Sequence, residues 1–193
     1  MIESNSTPTS VYETDGEIIL VTAQFNDADR IAQYFKENRE HLKPWDPARE
    51  EAFFTAEGWQ QRLLKLTEVH KLSLGYYLLI IDAKTDKMLG TISFSNLNRF
   101  PIYTCNVGYS LACDAQGKGT MTRALQMACN YMFSVQNMHR IMAAYIPRNK
   151  RSESVLERVG FSHEGHAKDY ILINGKWEDH NLMSLINSHW KEE

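Results

Sequence analysis

The residue pattern predicts an α+β fold: a mixed, mostly antiparallel central sheet with helices on both faces. Three observations lead there. Stretches rich in β-formers at 72–81, 88–97 and 102–111 follow one another too closely for crossover helices, so they must pair antiparallel. Apolar residues recur at three- and four-residue spacing in separate segments, which marks amphipathic helices. Asn174-Gly175 stands between two β-rich runs and signals a tight hairpin.

In chain order, residues 1–15 are rich in Ser, Thr and Asn with few apolar anchors, and read as a loose N-terminal arm. A first strand covers 17–22. Asn26 can cap a helix whose apolar positions Ala28, Ile31, Ala32 and Phe35 share one face. Pro44 and Pro47 keep the next stretch irregular, although it carries the large indole of Trp45. Thr55 starts a second helix with a stripe of Trp59, Leu63, Leu66 and Val69. The strand pair 72–81 and 88–97 turns through 82–87, and the strand 102–111 feeds a turn at 114–120. A helix follows, marked by Ala124, Leu125, Ala128, Tyr131 and Met132. Residues 140–145 are a short strand. Asn149 opens a helix that stops at Gly160-Phe161, and 169–173 with 177–185 make the last hairpin.

At 193 residues the chain suits one domain, 16–193, behind the arm. Its longest apolar runs fall far short of the roughly 20 residues a membrane span needs, and the N-terminus lacks a basic, apolar secretory pattern. The cytoplasm is the expected location, with no membrane partner. Three cysteines without a C-x-x-C pair do not make a disulfide framework; they read as free thiols in buried or near-buried segments. A net charge of −3 gives no bulk attraction for nucleic acid and argues against direct binding to it. Lys36, Arg39, Lys43 and Arg49 form a local basic group, open to a solvated helix face, an acidic peptide or ribosomal RNA. His139, His163 and His166 lack a clear third ligand partner, so no metal is expected.

The turn at 114–120 carries the chemistry. Gly117 and Gly119 can take backbone angles closed to other residues, so successive N–H groups can point at one object at the start of a helix. Such amides, with Lys118 and Arg123 nearby, suit a phosphate-bearing ligand. Neither G-x-x-x-x-G-K-[ST] nor G-x-G-x-x-G occurs here.

The segment Gln116-Gly-Lys-Gly-Thr-Met121 resembles the Q/R-x-x-G-x-G/A pyrophosphate loop of the GCN5-related N-acetyltransferase (GNAT) family, with Met121 standing where that pattern has Gly or Ala. The element order and the segment Asn149-x-x-Ser152-x-x-Val155-x-x-x-x-Gly160-Phe161 extend the likeness over nearly the whole chain. More narrowly, Asn38-Arg-Glu-His-Leu-Lys-Pro-Trp-Asp-Pro47, His139-Arg-Ile-Met-Ala143 and Glu164-Gly-His-Ala-Lys-Asp-Tyr170 resemble the ribosomal-protein-alanine N-acetyltransferases of the RimJ type.

The resemblance implies a GNAT-like fold and acetyl-CoA as cosubstrate. The acceptor would be the N-terminal amine of a small-subunit ribosomal protein, with ribosome association as a further implication. It also implies site residues. Gln116, Gly117, Lys118, Gly119, Thr120 and Met121 would take the pyrophosphate. Gly108, Tyr109, Ser110 and Leu111 would line the pantetheine arm through main chain, and Asn149 would hydrogen-bond it. The position where many relatives carry the Tyr acid is Leu156, so Ser152 or solvent would protonate the leaving thiolate; capping the helix or holding CoA is the other role open to Ser152. Many relatives have Glu where this chain has Asn106, which leaves Asp169 or Glu164 as candidate bases. Trp45 is a candidate for the substrate groove, and Cys113, beside the loop, for an acyl-enzyme or for plain packing. A small amine acceptor, or a non-catalytic CoA-binding or ribosome-assembly role, stays open.

Overall fold

The computed structural model describes residues 10–192. Eight strands form one sheet in the order β1-β2-β3-β4-β5-β6-β8-β7: β1 Tyr12–Thr14, β2 Ile18–Thr22, β3 Tyr76–Asp82, β4 Met88–Asn98, β5 Thr104–Leu111, β6 Arg140–Tyr145, β7 Ser162–Ile173 and β8 Lys176–Ile186. Every neighbouring pair is antiparallel except β5 and β6, which are parallel. The α-helices are α1 Ala28–Glu37, α2 Arg39–Leu42, α3 Ala56–Lys71, α4 Thr120–Ser134 and α5 Lys150–Val159.

The sheet separates two cores. Ile31, Phe35, Trp59 and Leu63 of α1 and α3 pack with Leu79 and Ile81 on one face. Leu125, Cys129 and Met132 of α4 and Leu156 of α5 pack with Leu78, Ile80, Ile92 and Ile141 on the other. Alternation along β3 therefore feeds both layers, which is why 78–81 read as an unbroken apolar run. Each fully buried Leu or Ile contributes about 1.5–3 kcal/mol of apolar transfer.

Several boundaries differ from the sequence reading. The loose arm is too long: Tyr12–Thr14 pairs with β2, Val11 is buried, and its N–H donates to Thr22 Oγ1 at 2.8 Å. Arg123 ties this edge to α4, reaching Asp15 at 3.0 Å and Glu17 at 2.5 Å, and so is turned away from the loop it was expected to serve. The rest of the arm, 1–9, lies outside the described residues. β3 starts at Tyr76 rather than 72, because α3 runs on to Lys71 and the chain then turns through Ser73 at φ 53°. β7 begins at Ser162, far ahead of 169. It is an exposed edge strand, and register shifts at Glu164 and between Ala167 and Ile171 break its alternation. Cys105 and Cys129 are buried, but Cys113 is exposed, since it sits in the turn after β5 rather than in the strand.

Candidate active site

Two features of β5 shape the site. Its parallel pairing with β6 runs from Thr104↔Arg140 to Val107↔Ala143 and stops. Beyond it, residues 108–111 pair only with β4, while β6 continues against β8. The two strands thus part at Gly108, leaving the main-chain groups of 108–111 on that side unpaired. The irregularity beside the parting lies in β4, where Asn96 takes φ 52° and the register shifts between Ser95 and Asn98.

The chain then enters the turn that opens α4. Gly117 and Gly119 both stand at φ 73°, the left-handed region open to glycine, and a Cβ on either would meet nothing within 4 Å. Their requirement is therefore conformational, and the space outside them is open. Gly119 caps α4 with no side chain, and the first turn holds no acidic residue. Among the described residues the amides of Gly117, Lys118, Gly119, Thr120 and Met121 have no protein acceptor. A row of free N–H groups at a helix start is a site for an anion. Met121, the departure from the family pattern, puts its side chain into the α4 core, where it is buried, so its amide stays available.

Side chains around the loop are arranged by distant elements. Gln116 Oε1 accepts from Arg151 Nη1 of α5 at 2.7 Å, and its Nε2 lies 3.0 Å from His41 Nε2. An amide nitrogen only donates, so His41 accepts there. Lys118 curls back onto the carbonyl of Asp114 at 2.9 Å. On the opposite wall Asn149 caps α5, its Oδ1 accepting from the N–H of Ser152 at 3.1 Å, which leaves its Nδ2 for a ligand. Gly160 and Phe161 close the same helix by returning their amides to Glu157 and Leu156.

Ser152 has a partner the sequence did not reveal. Its Oγ lies 2.8 Å from the phenol of Tyr109, which also reaches the Ser152 carbonyl at 3.2 Å. Burial pushes that phenol above its usual range, so it stays protonated and holds the serine hydroxyl between β5 and α5, beside the parting of β5 from β6. Ser110, its side chain on the other face, sits 2.9 Å from both Tyr34 Oη and Thr91 Oγ1.

A pocket of about 440 Å³ opens on the α1 and α3 side of the parting and shares Gly108, Tyr109 and Ser110 with it. Phe53, Trp59 and Tyr77 wall it, and Asp46, Arg49, Arg62 and Lys65 supply its charges. Trp59 is fixed by its indole N–H, which donates to the Phe53 carbonyl at 2.7 Å. Trp45 does not line this pocket. It is half-buried beneath Arg148, whose guanidinium carbon is 5.7 Å from the ring centre, on the β6–α5 side. The neighbouring Asp46 takes the pocket position instead, so residues 43–46 bridge the mouth of the parting. Asn174 and Arg148 donate to the carbonyls of Lys43 and Pro44 and hold the bridge in place.

The two candidate bases stand differently. Asp169 is exposed at φ 47° in the β7 bulge, where its N–H donates to Asp179 Oδ1. Glu164 accepts from the Ser184 hydroxyl at 2.7 Å and pairs with Arg140; together these hold its carboxyl below the usual range, in the form of a poor base. The basic group splits: Arg39 pairs with Glu51 at 2.6 Å and Lys43 approaches Glu40 at 3.9 Å, while Arg49 faces the pocket. His166 sits between Asn181 and Asp179. Among the described residues no group of three or more His, Cys, Asp or Glu is placed to hold a metal ion, and no helix is long and apolar enough to cross a membrane.

Parted parallel strands, a free-amide turn and a helix start beside them match a known class. The chain belongs to the acetyltransferase (GNAT) family, whose domain model matches residues 17–162, and it is an acetyl-CoA-dependent N-acetyltransferase. It is 43% identical over 177 residues to the [ribosomal protein uS5]-alanine N-acetyltransferase of Escherichia coli (strain K12), covering 92% of this chain and 91% of that one. The crystal structure of ribosomal-protein-S5-alanine acetyltransferase from Vibrio fischeri superposes with a TM-score of 0.92 at 50% identity, covering 94% of this chain and 100% of that one. Mycobacterium smegmatis RimJ in complex with CoA-disulfide shares the fold, with a TM-score of 0.86 at 24% identity, covering 96% of this chain and 90% of that one.

Proposed function

We propose that this enzyme acetylates the N-terminal alanine of the small-subunit ribosomal protein uS5. The likeness over almost the whole chain to two relatives named for that reaction carries the reading. The site fits the cosubstrate. Free amides from Gly117 to Met121 suit a diphosphate, with Arg151 and Lys118 as nearby cations. Unpaired main chain at Gly108 to Leu111 and the Asn149 amide suit the two amides of a pantetheine arm, and so present the thioester where β5 leaves β6.

The amine nitrogen must bond to the acetyl carbonyl carbon while the carbon–sulfur bond breaks. The nitrogen releases a proton to water as the amide forms, and the departing thiolate takes one from a donor that water then reprotonates. A protein N-terminus has a pKa near about 8, so a useful fraction is neutral at pH 7 without a strong base. Ser152, backed by the protonated Tyr109, is the residue we assign to protonate the thiolate. The main-chain amides near Gly108 would steady charge on the carbonyl oxygen.

Purified enzyme with labelled acetyl-CoA, offered uS5 N-terminal peptide against polyamines, amino acids and antibiotics, tests this. Label in the peptide alone is the expected result. Label in a small amine instead would overturn the acceptor, and tight CoA binding without any transfer would favour a non-catalytic role.

A further inference from the structure

We infer that the pocket between α3 and β3–β5 binds the acceptor by both of its charges, with the α-ammonium at Asp46 and an acidic side chain a few residues behind it at Arg62 and Lys65. This rests on the N-terminal-amine reading above and narrows it to a sequence class: a small first residue followed closely by Glu or Asp.

Position is the first support. The pocket shares Gly108, Tyr109 and Ser110 with the strand that leaves β6, so an amine inside it lies beside the acyl donor's end of the cleft. Charge is the second. The chain is acidic as a whole, yet this pocket gathers three cations around one carboxylate. The guanidiniums of Arg49 and Arg62 sit 4.7 and 5.1 Å from the centre of the Phe53 ring, which fixes them at the rim. Arg62 and Lys65, one turn apart on α3, have no acidic partner among the described residues, whereas Arg39 nearby is satisfied by Glu51.

Asp46 is the third support. It is half-buried, and Arg49 approaches no nearer than 3.9 Å, a loose pairing that leaves carboxylate oxygen for a second cation. Burial raises its proton affinity, a cost that an incoming ammonium would relieve until it gives up a proton to water ahead of attack. Charge pairs at two points along a peptide discriminate by register as well as by strength.

The test uses three peptides that begin with the same Ala and differ only in carrying Glu, Gln or Lys at the following positions. Wild-type kcat/KM should fall by about tenfold at each step from Glu to Gln to Lys. The double variant Arg62→Glu, Lys65→Glu should invert the order while the KM for acetyl-CoA stays within about twofold, which also reports a folded enzyme. The milder Arg62→Gln, Lys65→Gln should flatten it. Asp46→Asn should raise the KM for all three peptides by about tenfold. Peptides acetylated without regard to charge, or an order unmoved by the double variant, would overturn this inference and leave the acceptor reading intact. No acetylation of any peptide would overturn both.

Discussion

Between Gln116 and Met121 the groups left free of protein partners are main-chain amides of near-consecutive residues, whereas the proposed acceptor pocket assembles side chains from residue 35 to residue 110 on separate elements. The loop needs only a backbone path, so Met121 can replace a small residue by sending its side chain into the core. The pocket needs particular atoms at particular places, and each is held by a neighbour: Trp59 by the Phe53 carbonyl, Ser110 by Tyr34 and Thr91. A main-chain site therefore fails through conformation, and a side-chain site fails through packing.

The largest effect expected separates these modes directly. Gly119→Glu places a like charge and an L side chain in the left-handed region at the turn proposed for the diphosphate, and CoA affinity by calorimetry should drop at least about 100-fold. Gly119→Ala adds only the conformational strain, about 1–2 kcal/mol, since its Cβ meets nothing; it should melt a few degrees lower yet keep most CoA binding. If the alanine variant loses as much affinity as the glutamate, conformation rather than charge governs the loop.

Ser152→Ala comes next. The kcat should fall by about 30-fold with the KM for acetyl-CoA little changed, and Tyr109→Phe, which removes only the supporting hydroxyl, should fall less. An unaltered rate for Ser152→Ala across neutral pH would remove it as the proton donor. Gly58→Ala acts on the pocket from outside: its Cβ would lie 1.8 Å from the Ala52 carbonyl oxygen, so the turn bearing Phe53 must move. Peptide KM should rise about tenfold and stability fall by about 2 kcal/mol, while CoA affinity holds.

Glu164→Gln should do least. Because Ser184 and Arg140 lower its acidity in the folded state, Glu164 adds stability above its unfolded pKa of about 4.3, which is lost as pH falls through the lower folded value. It is partly exposed, so the variant should lose under about 1 kcal/mol, and only above that range. Its rate profile near neutrality should match wild type. A lost acidic limb would restore Glu164 as a base.

What could be read from the sequence follows the same division. Gly117, Gly119, Asn149 and Gly160 announce local backbone turns, and the structure has each of them in a helix cap or its approach. The Tyr109–Ser152 pair joins residues 43 apart, and the His41–Gln116–Arg151 chain joins three elements. No local pattern records such meetings. Asp46 sat beside the residue chosen for the groove; which of the two faces the pocket depends on how residues 43–46 cross the mouth, a tertiary matter. Tyr12–Thr14 went unseen because three polar-flanked residues carry no periodicity, and the start of β7 because an edge strand has little apolar signal.

The parting of β5 from β6 has a consequence for how the molecule behaves in company. An unsatisfied strand border at the rim of a sheet invites other extended chains to adhere and is a common seed of aggregation. Here that border is kept inside the sheet, within a wedge whose sides are strands already paired elsewhere. The enzyme can keep a row of sticky backbone for its thioester cosubstrate without presenting that row to the crowded chains of a cell.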